Sequence, residues 1–365
     1  MNVQEQFPYM PKVWFNNKQN SFAQSLKTKV DQYFSEKQIK KTGNLELYLK
    51  TAILIPAALL IYVLLLTVNI PGGVQVLLAG LLGAILASIG FNVMHDACHG
   101  SYSQRKWVNE LLGLSLNALG GNAFIWKFKH NILHHTYTNV DGMDDDIAKS
   151  PLMRQCRSQK WVPAHRYQHI YVVLVYAISS FAWVFIMDFN KYLKQKVYTT
   201  PLQKMSLQDH VVFWLSKVLY LIFYIAIPVY LVGWGPSALG FAEMNLVMGL
   251  RLAVVFKLAH VVEHTEFEVT QGEVTQIENA WAEHQVRTTA NFAPDNLFVN
   301  WFVGGLNYQV EHHLFPRISH VHYPALSKIV QETCQEHGLP YHTYPTMTAS
   351  MISHFRMMKA LGEKP

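Results

Sequence analysis

The residues best suited to chemistry in this chain are histidines, which recur in four short motifs at the spacing of metal ligands. The motifs read HDACH, HNILHH, HVVEH and QVEHH. Neutral imidazole is the commonest metal-binding side chain for iron and zinc. Because every motif lies at the end of an apolar stretch, we expect the imidazoles to face one aqueous side of a membrane and to bind two metal ions. The predicted ligands are His95, His99, His130, His134, His135, His264, His312 and His313.

Helical spacing explains how few segments could deliver so many ligands. Residues four apart lie on one face of a helix, one turn apart, so His95 and His99 can reach the same metal. His130 and His134 repeat this spacing, and the histidine that follows them is rotated by about 100° and can serve a second metal. His264 is expected to continue the fourth apolar span in the same way. Four segments would then supply ligands to one place, as in dinuclear sites of helical bundles.

Ligand type narrows the choice of metal without fixing it. The three cysteines, Cys98, Cys156 and Cys334, lie far apart in the sequence, so we expect reduced packing residues and no thiolate site. Imidazole-rich sites suit iron, zinc or copper. Soluble dinuclear iron sites use Glu-x-x-His motifs, which this chain lacks. The predicted site is therefore dominated by histidine.

Other polar residues near the motifs are expected to hold the ligands in place or to join them. A carboxylate can do so by accepting the second ring N–H of an imidazole. The candidates are Asp96, the run Asp144–Asp146 that includes Asp146, Glu263 and Glu311. For the aspartate run and Glu311, an ordinary solvated position stays open. His260 is left open as an additional ligand, a support behind the ligands or a packing residue. Gln309 forms an i, i+3, i+4 cluster with His312 and His313 and is a further possible ligand or support.

The composition indicates a membrane protein. Half of the 365 residues are hydrophobic and only 15% are charged, whereas soluble domains carry about a quarter charged residues. Crossing a bilayer as a helix takes about 20 apolar residues. Two pairs of stretches satisfy this, each pair joined by a short turn rich in Gly and Pro, so we predict two helical hairpins. The four stretches are Thr51–Ile70, Val74–Met94, Val211–Trp234 and Leu239–Ala259.

The number of membrane crossings decides how two shorter apolar runs are interpreted. These runs are Leu111–Trp126 and Ile170–Met187. If all histidines share one site, an even number of crossings must separate any two motifs. Either short run alone as a crossing would break this rule. We therefore predict that both are interfacial or re-entrant segments, and that the fold is an all-α integral membrane protein with four transmembrane helices and a cytosolic histidine-rich cap for two metals.

Charge predicts the orientation and the division of the chain. Residues 1–50 carry eight Lys and four Asp or Glu, and the two candidate external turns carry no charge. This asymmetry follows the positive-inside rule and predicts a cytoplasmic site. We expect a polar cytosolic segment at 1–50, the membrane domain at 51–345 and a C-terminal tail at 346–365. The net charge of +6 comes with no basic stripe interleaved with aromatics, so nucleic-acid binding is disfavoured.

Over residues 45–345 the chain resembles the membrane-bound fatty acid desaturases. The resemblance is carried by HDACHG, HNILHHTYTN and NYQVEHHLFP, and by QVRTTANF before the last of them. It implies an enzyme with two iron ions that uses O₂ and two delivered electrons to remove two hydrogens from an acyl chain. By the same resemblance, the eight predicted histidines are iron ligands.

One departure from the usual histidine pattern of that family bears on the reaction. Gln309 occupies the position where many members have the first histidine of HxxHH. This is similar to front-end desaturases, which act between an existing double bond and the carboxyl end. The resemblance thus implies activity of the Δ5 or Δ6 type, as in linoleoyl-CoA desaturase-like enzymes.

The source of electrons is expected to be a separate protein. Front-end desaturases often carry a fused cytochrome b5 domain with an HPGG motif, and this sequence has none. The resemblance then implies a ferredoxin or cytochrome b5 type of carrier. We expect a bacterial inner membrane in preference to the endoplasmic reticulum.

An acyl chain would need a deep apolar slot beside the metals. Residues that could line it or meet the substrate are Trp126, Trp301, Tyr308 and Arg287, although core packing stays open for each aromatic residue. Asn139 could meet a head group or hold the site by hydrogen bonds.

Two other functions remain open at this point. Hydroxylation of a lipid, or desaturation of a sphingolipid, could use the same two-metal site, and the mass of the product distinguishes oxygen insertion from loss of hydrogen. A membrane zinc protein without redox chemistry would need neither O₂ nor reductant.

Overall fold

A computed structural model of the chain describes residues 12–18, 20–270, 272 and 274–365. Helices make up most of this part of the chain. They are α1 (Ser21–Lys37), α2 (Leu45–Thr67), α3 (Gly72–His99), α4 (Lys106–Gly113), α5 (Ser115–Ala118), α6 (Ala123–Lys127), α7 (Pro163–Lys194), α8 (Leu207–Val232), α9 (Trp234–His260), α10 (Trp281–Thr288), α11 (Leu297–Phe302), α12 (Gln309–Leu314), α13 (Tyr323–Glu336) and α14 (Met347–Gly362). The strands are β1 (Lys12–Phe15), β2 (Val140–Asp141), β3 (Lys196–Val197), β4 (Thr200–Pro201), β5 (Glu268–Val269), β6 (Val274–Ile277), β7 (Asn291–Phe292) and β8 (Thr343–Tyr344).

The four predicted apolar stretches lie almost entirely within helices α2, α3, α8 and α9. Each pair is joined by a tight turn, as expected from the Gly and Pro residues between them. Gly233 alone separates α8 from α9, and its φ of 84° lies in the left-handed region that glycine adopts without a steric penalty. All three cysteines are buried and unpaired.

Small residues let the apolar helices approach closely. A Cβ atom on Gly83 of α3 would lie 2.1 Å from the carbonyl oxygen of Met244 in α9. A Cβ atom on Gly249 of α9 would lie 2.6 Å from the carbonyl oxygen of Ala177 in α7. Helices that pack in lipid depend on such contacts, since burial from water does not drive their association there. These glycines therefore let α3 and α7 pack closely against α9.

The two shorter apolar runs form different structures. Leu111–Trp126 divides among α4, α5 and α6, none of which is long enough to cross a bilayer. Ile170–Met187 lies within α7, which has 32 residues, so within the described part of the chain five helices rather than four have the length and apolar composition of a span. The four-span topology therefore stays a prediction. Helix α7 reaches the length of a span because helical residues that the apolar run does not include extend it at both ends.

Both ends of α7 contact the same connecting segment. Near its start, the side chain of Gln168 accepts a hydrogen bond from the Arg154 backbone N–H at 2.8 Å. Near its end, Lys191 Nζ lies 2.5 Å from Asp145 Oδ2. Since Asp145 and Arg154 lie between the second histidine motif and α7, the helix begins and ends close to the histidine side.

A buried ion pair joins the last part of α7 to α8. Lys217 Nζ lies 2.9 Å from Asp188 Oδ2 and also donates to the carbonyl oxygen of Gly120 at 2.6 Å. Charges within an apolar bundle need such partners, because an unpaired one would carry the full cost of desolvation.

On the histidine side, polar segments cover the ends of the long helices. Helix α1 packs on α13 through Phe22, Leu26, Val30 and Phe34, which repeat every four residues and are all buried. Three parallel strand pairs, β1–β6, β2–β5 and β7–β8, join segments far apart in the sequence. Helix α14, in the region predicted as a C-terminal tail, packs against the end of α9.

Candidate metal centre

Eight buried imidazoles converge at the ends of the long helices. Seven of them form two groups, and within each group the ligand atoms lie within 4.8 Å of one another. Group one contains His95, His99, His130 and His312. Group two contains His134, His260 and His313. The eighth, His135, lies between the groups: its ring centroid is 4.8 Å from that of His99 and 4.4 Å from that of His313.

Helix α3 delivers the first pair of histidines. A π-helical turn at Gly90–Met94 precedes one final α-turn that carries both residues. The ring centroids of His95 and His99 lie 4.6 Å apart, so the spacing of four residues brings them together as predicted. The φ of 74° at Gly100 then ends the helix, leaving both rings at its tip.

The second motif lies in another π-helical turn, Phe128–His134, which continues α6. His130 and His134 stack 5.2 Å apart on one side of this turn, and each enters a different group. Trp126 stacks on the His130 ring at 4.3 Å with an interplanar angle of 21°. Single π-helical turns are frequent at functional sites. Here one such turn carries His130 into group one and His134 into group two.

Helix α12 supplies one ligand to each group. His312 and His313 are neighbours, their ring planes differ by 84°, and their centroids lie 5.4 Å apart. Both are buried, with 1% and 0% of their surface exposed. Consecutive positions on a helix point about 100° apart, which explains the division.

His264 does not join the cluster, and His260 takes the expected place. Helix α9 ends at His260, because side chains bind the carbonyl groups that would continue it: Thr265 Oγ1 donates to the His260 carbonyl at 2.8 Å, and His354 Nδ1 lies 2.7 Å from the Val261 carbonyl oxygen. The chain therefore turns away, and His264 is exposed and stacks on His342 at 5.6 Å. The prediction that His264 continues the helix was wrong for this reason.

Four imidazoles are held at one ring nitrogen by a fixed partner. Each contact engages Nδ1, so Nε2 is left facing the centre of its group, an arrangement that supports metal ligation. The pairs are His134 with Asp144 Oδ2 at 3.0 Å, His260 with the Thr288 carbonyl oxygen at 3.4 Å, His312 with the Tyr323 hydroxyl at 3.1 Å, and His313 with Gln285 Oε1 at 2.9 Å.

The Nε2 atoms of several of these rings are free to bind a metal. Nε2 of His99, His260, His312 and His313 is buried and has no hydrogen-bond partner in the described part of the chain. Buried polar atoms are almost always paired, so several orphaned nitrogens aimed into one space indicate missing ligands of another kind. Burial, together with the neighbouring imidazoles, also keeps the pKa of His312 and His313 well below the ordinary value. They are therefore neutral at physiological pH, the form that binds metals.

The predicted carboxylates have different positions. Asp144 holds His134, as expected of the aspartate run, and Asp146 lies 3.4 Å from the same ring nitrogen. Burial opposes ionisation of Asp146, but Lys129 at 2.5 Å keeps its pKa below the usual value. Asp96 instead accepts from Ser319 Oγ at 2.6 Å and so ties α3 to the segment after α12.

The two glutamates contact no imidazole nitrogen. Glu263 is exposed and lies 3.9 Å from Arg356, because it follows the end of α9. Glu311 is buried rather than solvated, and accepts from Asn291 Nδ2 and from the Tyr341 hydroxyl, each at 2.8 Å. Burial raises its pKa to about 7. Glu311 therefore fixes α12 to β7 and to the segment before β8.

The candidate substrate residues do not form one slot. Trp126 lies against His130, but Trp301 packs with Phe302 among the long helices. Tyr308 is buried in a different cluster with its hydroxyl bound to the Pro294 carbonyl oxygen. Arg287 pairs with Glu266 at 3.0 Å at the surface.

Two further residues have positions that the sequence left open. Asn139 has a φ of 57° and its side chain donates to the His260 carbonyl at 2.8 Å, so it holds the end of α9. Gln309 is buried, and its Nε2 has no partner in the described residues.

Sequence reasoning gave no role to several residues that hold the ligands. Gln285 and Thr138 form a pair behind His313, with Thr138 Oγ1 donating to Gln285 Oε1 at 2.9 Å. Tyr323 lies behind His312. The position of Gln285 at the start of the QVRTTANF motif was the available signal, but the motif alone does not say which ligand it meets.

The chain is similar to known proteins along most of its length. A family model described as fatty acid desaturase matches residues 69–345. The chain is 37% identical to an sn-1 linoleoyl-lipid 6-desaturase of Synechocystis sp., over 94% of this chain and 96% of that protein. It is 36% identical to the sn-1 linoleoyl-lipid 6-desaturase of Arthrospira platensis, over 94% and 93%. Identity to an acyl-lipid (8-3)-desaturase of Physcomitrium patens is 33%, over 92% and 71%.

Two nearby histidines provide a matched test of the cluster. We expect His260→Ala to lower the metal retained by the purified protein about 10-fold or more, because it removes a buried ligand. His264→Ala should retain the wild-type amount, since that ring is exposed and outside both groups. Metal analysis by plasma mass spectrometry on the monodisperse fraction checks both. Equal loss in the two variants, or loss only in His264→Ala, would contradict the placement.

Proposed function

The chain belongs to the fatty acid desaturase family, and from this premise we propose that it introduces a double bond into a lipid-linked acyl chain on the carboxyl side of an existing one. Two C–H bonds of adjacent methylenes break and a C=C bond forms. O₂ accepts two electrons from the chain and two from a carrier, and two protons from solvent complete the two water molecules.

The observation that carries this proposal is the pair of imidazole groups. Seven of the eight histidines singled out by the family resemblance meet there, with His260 as the eighth. We propose that two iron ions bind to them, which would supply the activation of O₂. Imidazole is a suitable ligand for iron. The groups contain no thiolate, which is the ligand that would favour a structural zinc ion or an iron–sulfur cluster.

The residues around the ligands perform the remaining tasks. Asp144, Thr288, Tyr323 and Gln285 each fix one ring, so that its Nε2 stays directed inward without reorganisation. Seven of the eight imidazoles are at most 5% exposed, which restricts the access of bulk water to a strong oxidant.

Gln309 and the names of the relatives support front-end chemistry. The glutamine replaces the first histidine of the last motif and lies buried at the start of α12. Relatives with a third or more of their residues in common are named 6-desaturases and acyl-lipid desaturases. We propose Δ6-type activity on an acyl-lipid as the leading assignment.

An apolar cleft of about 490 Å³ between the long helices could take the methyl end of the chain. Ile89, which precedes His95 by six residues in α3, lines it together with Leu86, Leu119 and Tyr220. This cleft replaces the predicted slot of Trp126, Trp301, Tyr308 and Arg287 in our proposal.

Parity supports a four-span topology. The second histidine motif and His260 lie in one cluster, so an even number of the three apolar helices between them crosses the membrane. Both ends of α7 contact the segment Asp145–Arg154. We propose that α7 enters the bilayer without crossing it, that α8 and α9 cross, and that the cluster faces the cytoplasm of a bacterial cell.

Electrons would come from a separate acidic carrier of the ferredoxin or cytochrome b5 type. Lys37 and Lys40, at the end of α1 and just after it, are exposed and provide charge complementary to such a carrier.

Cysteine labelling tests the topology. We expect Arg157→Cys and Gln195→Cys, which flank α7, to be protected from a membrane-impermeant maleimide in intact bacterial cells and labelled after lysis. Gly73→Cys and Gly235→Cys, at the exposed starts of α3 and α9 beside the two proposed external turns, should be labelled in intact cells. The native cysteines are buried and give a low background. Different labelling of positions 157 and 195 would show that α7 crosses.

Product analysis tests the reaction. Expressed in a host that makes linoleoyl lipids and supplies a carrier, the chain should add one double bond on the carboxyl side, with a loss of two hydrogens in mass. His312→Ala should make none. Double-bond localisation by mass spectrometry checks the position. A product heavier by one oxygen, or a new bond only towards the methyl end, would contradict front-end desaturation.

A further inference from the structure

A polar cleft of about 700 Å³ opens beside group one at the boundary between the apolar helices and the aqueous segments. Thr42 lines it three residues before α2 begins, and Gly100 lines it directly after α3 ends. The volume is that of a typical site for a small ligand. The cleft therefore lies where a molecule held in the membrane surface could reach the cluster.

The cleft reaches His99, one of the predicted metal ligands. His99 lines it, is 9% exposed, and has no partner for its Nε2 in the part of the chain that the structure describes. Asn131 also lines it, with its Nδ2 bound to the Cys98 carbonyl at 2.9 Å and its Oδ1 buried without a partner among the described residues. A molecule in the cleft would thus touch group one and meet an unused hydrogen-bond acceptor.

Three cations surround the cleft and only one of them is paired within the described residues. Lys106 lies 3.5 Å from Glu110, and both side chains are exposed, so this pair is weak. Lys127 and Arg317 line the cleft and form no ion pair with the described residues. The cleft therefore carries excess positive charge.

The adjacent helix favours access from the bilayer surface. Helix α4 exposes Trp107 and Leu111, which are four residues apart, at 60% and 58% of their surface. An indole at the end of an apolar face is typical of the membrane–water interface. Lys106 and Lys127 would then lie at the level of lipid head groups.

In front-end desaturation, the position of this cleft beside the metals indicates which part of the substrate it receives. When the oxidised carbons lie only a few bonds from the carboxyl carbon, the ester or thioester and its head group must lie next to the metals. We infer that this cleft receives the carboxyl end of the substrate, and that Lys127 and Arg317 bind a phosphate-bearing head group. The inference rests on the proposed function and adds the class of acyl carrier. Lysine and arginine both bind phosphate through charge-assisted hydrogen bonds.

Three substrates with the same linoleoyl chain test the inference: phosphatidylglycerol, the CoA thioester and monogalactosyldiacylglycerol. The first two carry phosphate and the third does not. Purified iron-loaded protein, reconstituted in nanodiscs of neutral lipid with a chemical or protein reductant, is compared with Lys127→Gln/Arg317→Gln. The matched control is Arg356→Gln/Lys359→Gln in α14, two exposed cations outside the cleft. Bound iron is measured for every preparation to verify folding.

We expect kcat/KM for the phosphate-bearing substrate, relative to the galactolipid, to fall about 10-fold or more in the cleft variant and to stay constant in the control. Lys127→Arg/Arg317→Lys should retain the wild-type ratio. Whether the wild type prefers the phospholipid or the thioester identifies the source of the phosphate.

Other outcomes separate the two claims. An unchanged ratio in the cleft variant, or a wild type that uses only the galactolipid, would overturn the head-group assignment and leave desaturation intact. A wild type that forms no double bond from any of the three would reject the proposed function itself.

Discussion

The rest of the structure depends on one requirement: eight imidazoles must meet in a buried space at the ends of the long helices. Four segments supply them, and the last turn of α3 and the last residue of α9 are two of those segments. Helix ends suit this task because backbone groups there are free to be bound by side chains. At α9 this is what ends the helix, through Thr265, Asn139 and His354. The same contacts that stop the helix thus place His260 in the cluster.

This requirement also constrains the membrane part. The cluster links segments before and after three apolar helices, so their crossings must be even in number. In the proposed topology, helix α7 meets this constraint by returning to the side from which it starts. The buried Lys217–Asp188 pair holds its final part against α8. Gly83 and Gly249 allow α3 and α7 to pack closely against α9. Helices α3 and α9 thus both form the packed apolar bundle and carry histidines of the cluster.

Much of the centre follows from the sequence, because spacing on a helix is a local property. The pairs His95/His99 and His312/His313 required only helical geometry and were placed correctly. His264 was not, since its placement required knowing where α9 ends, and that end is determined by residues such as His354, more than 80 positions away. The roles of Gln285 and Tyr323 depend in the same way on tertiary contacts. The aromatic residues proposed for a slot were chosen for being near the motifs in sequence, and Trp301 and Tyr308 pack in separate clusters.

The central claim is that the two imidazole groups bind two iron ions. Mössbauer and iron K-edge X-ray absorption spectra of protein produced with iron-57 test it most directly. We predict two iron atoms per chain, each with nitrogen ligands and no sulfur. A single iron, or full occupancy by zinc with no iron signal, would contradict it.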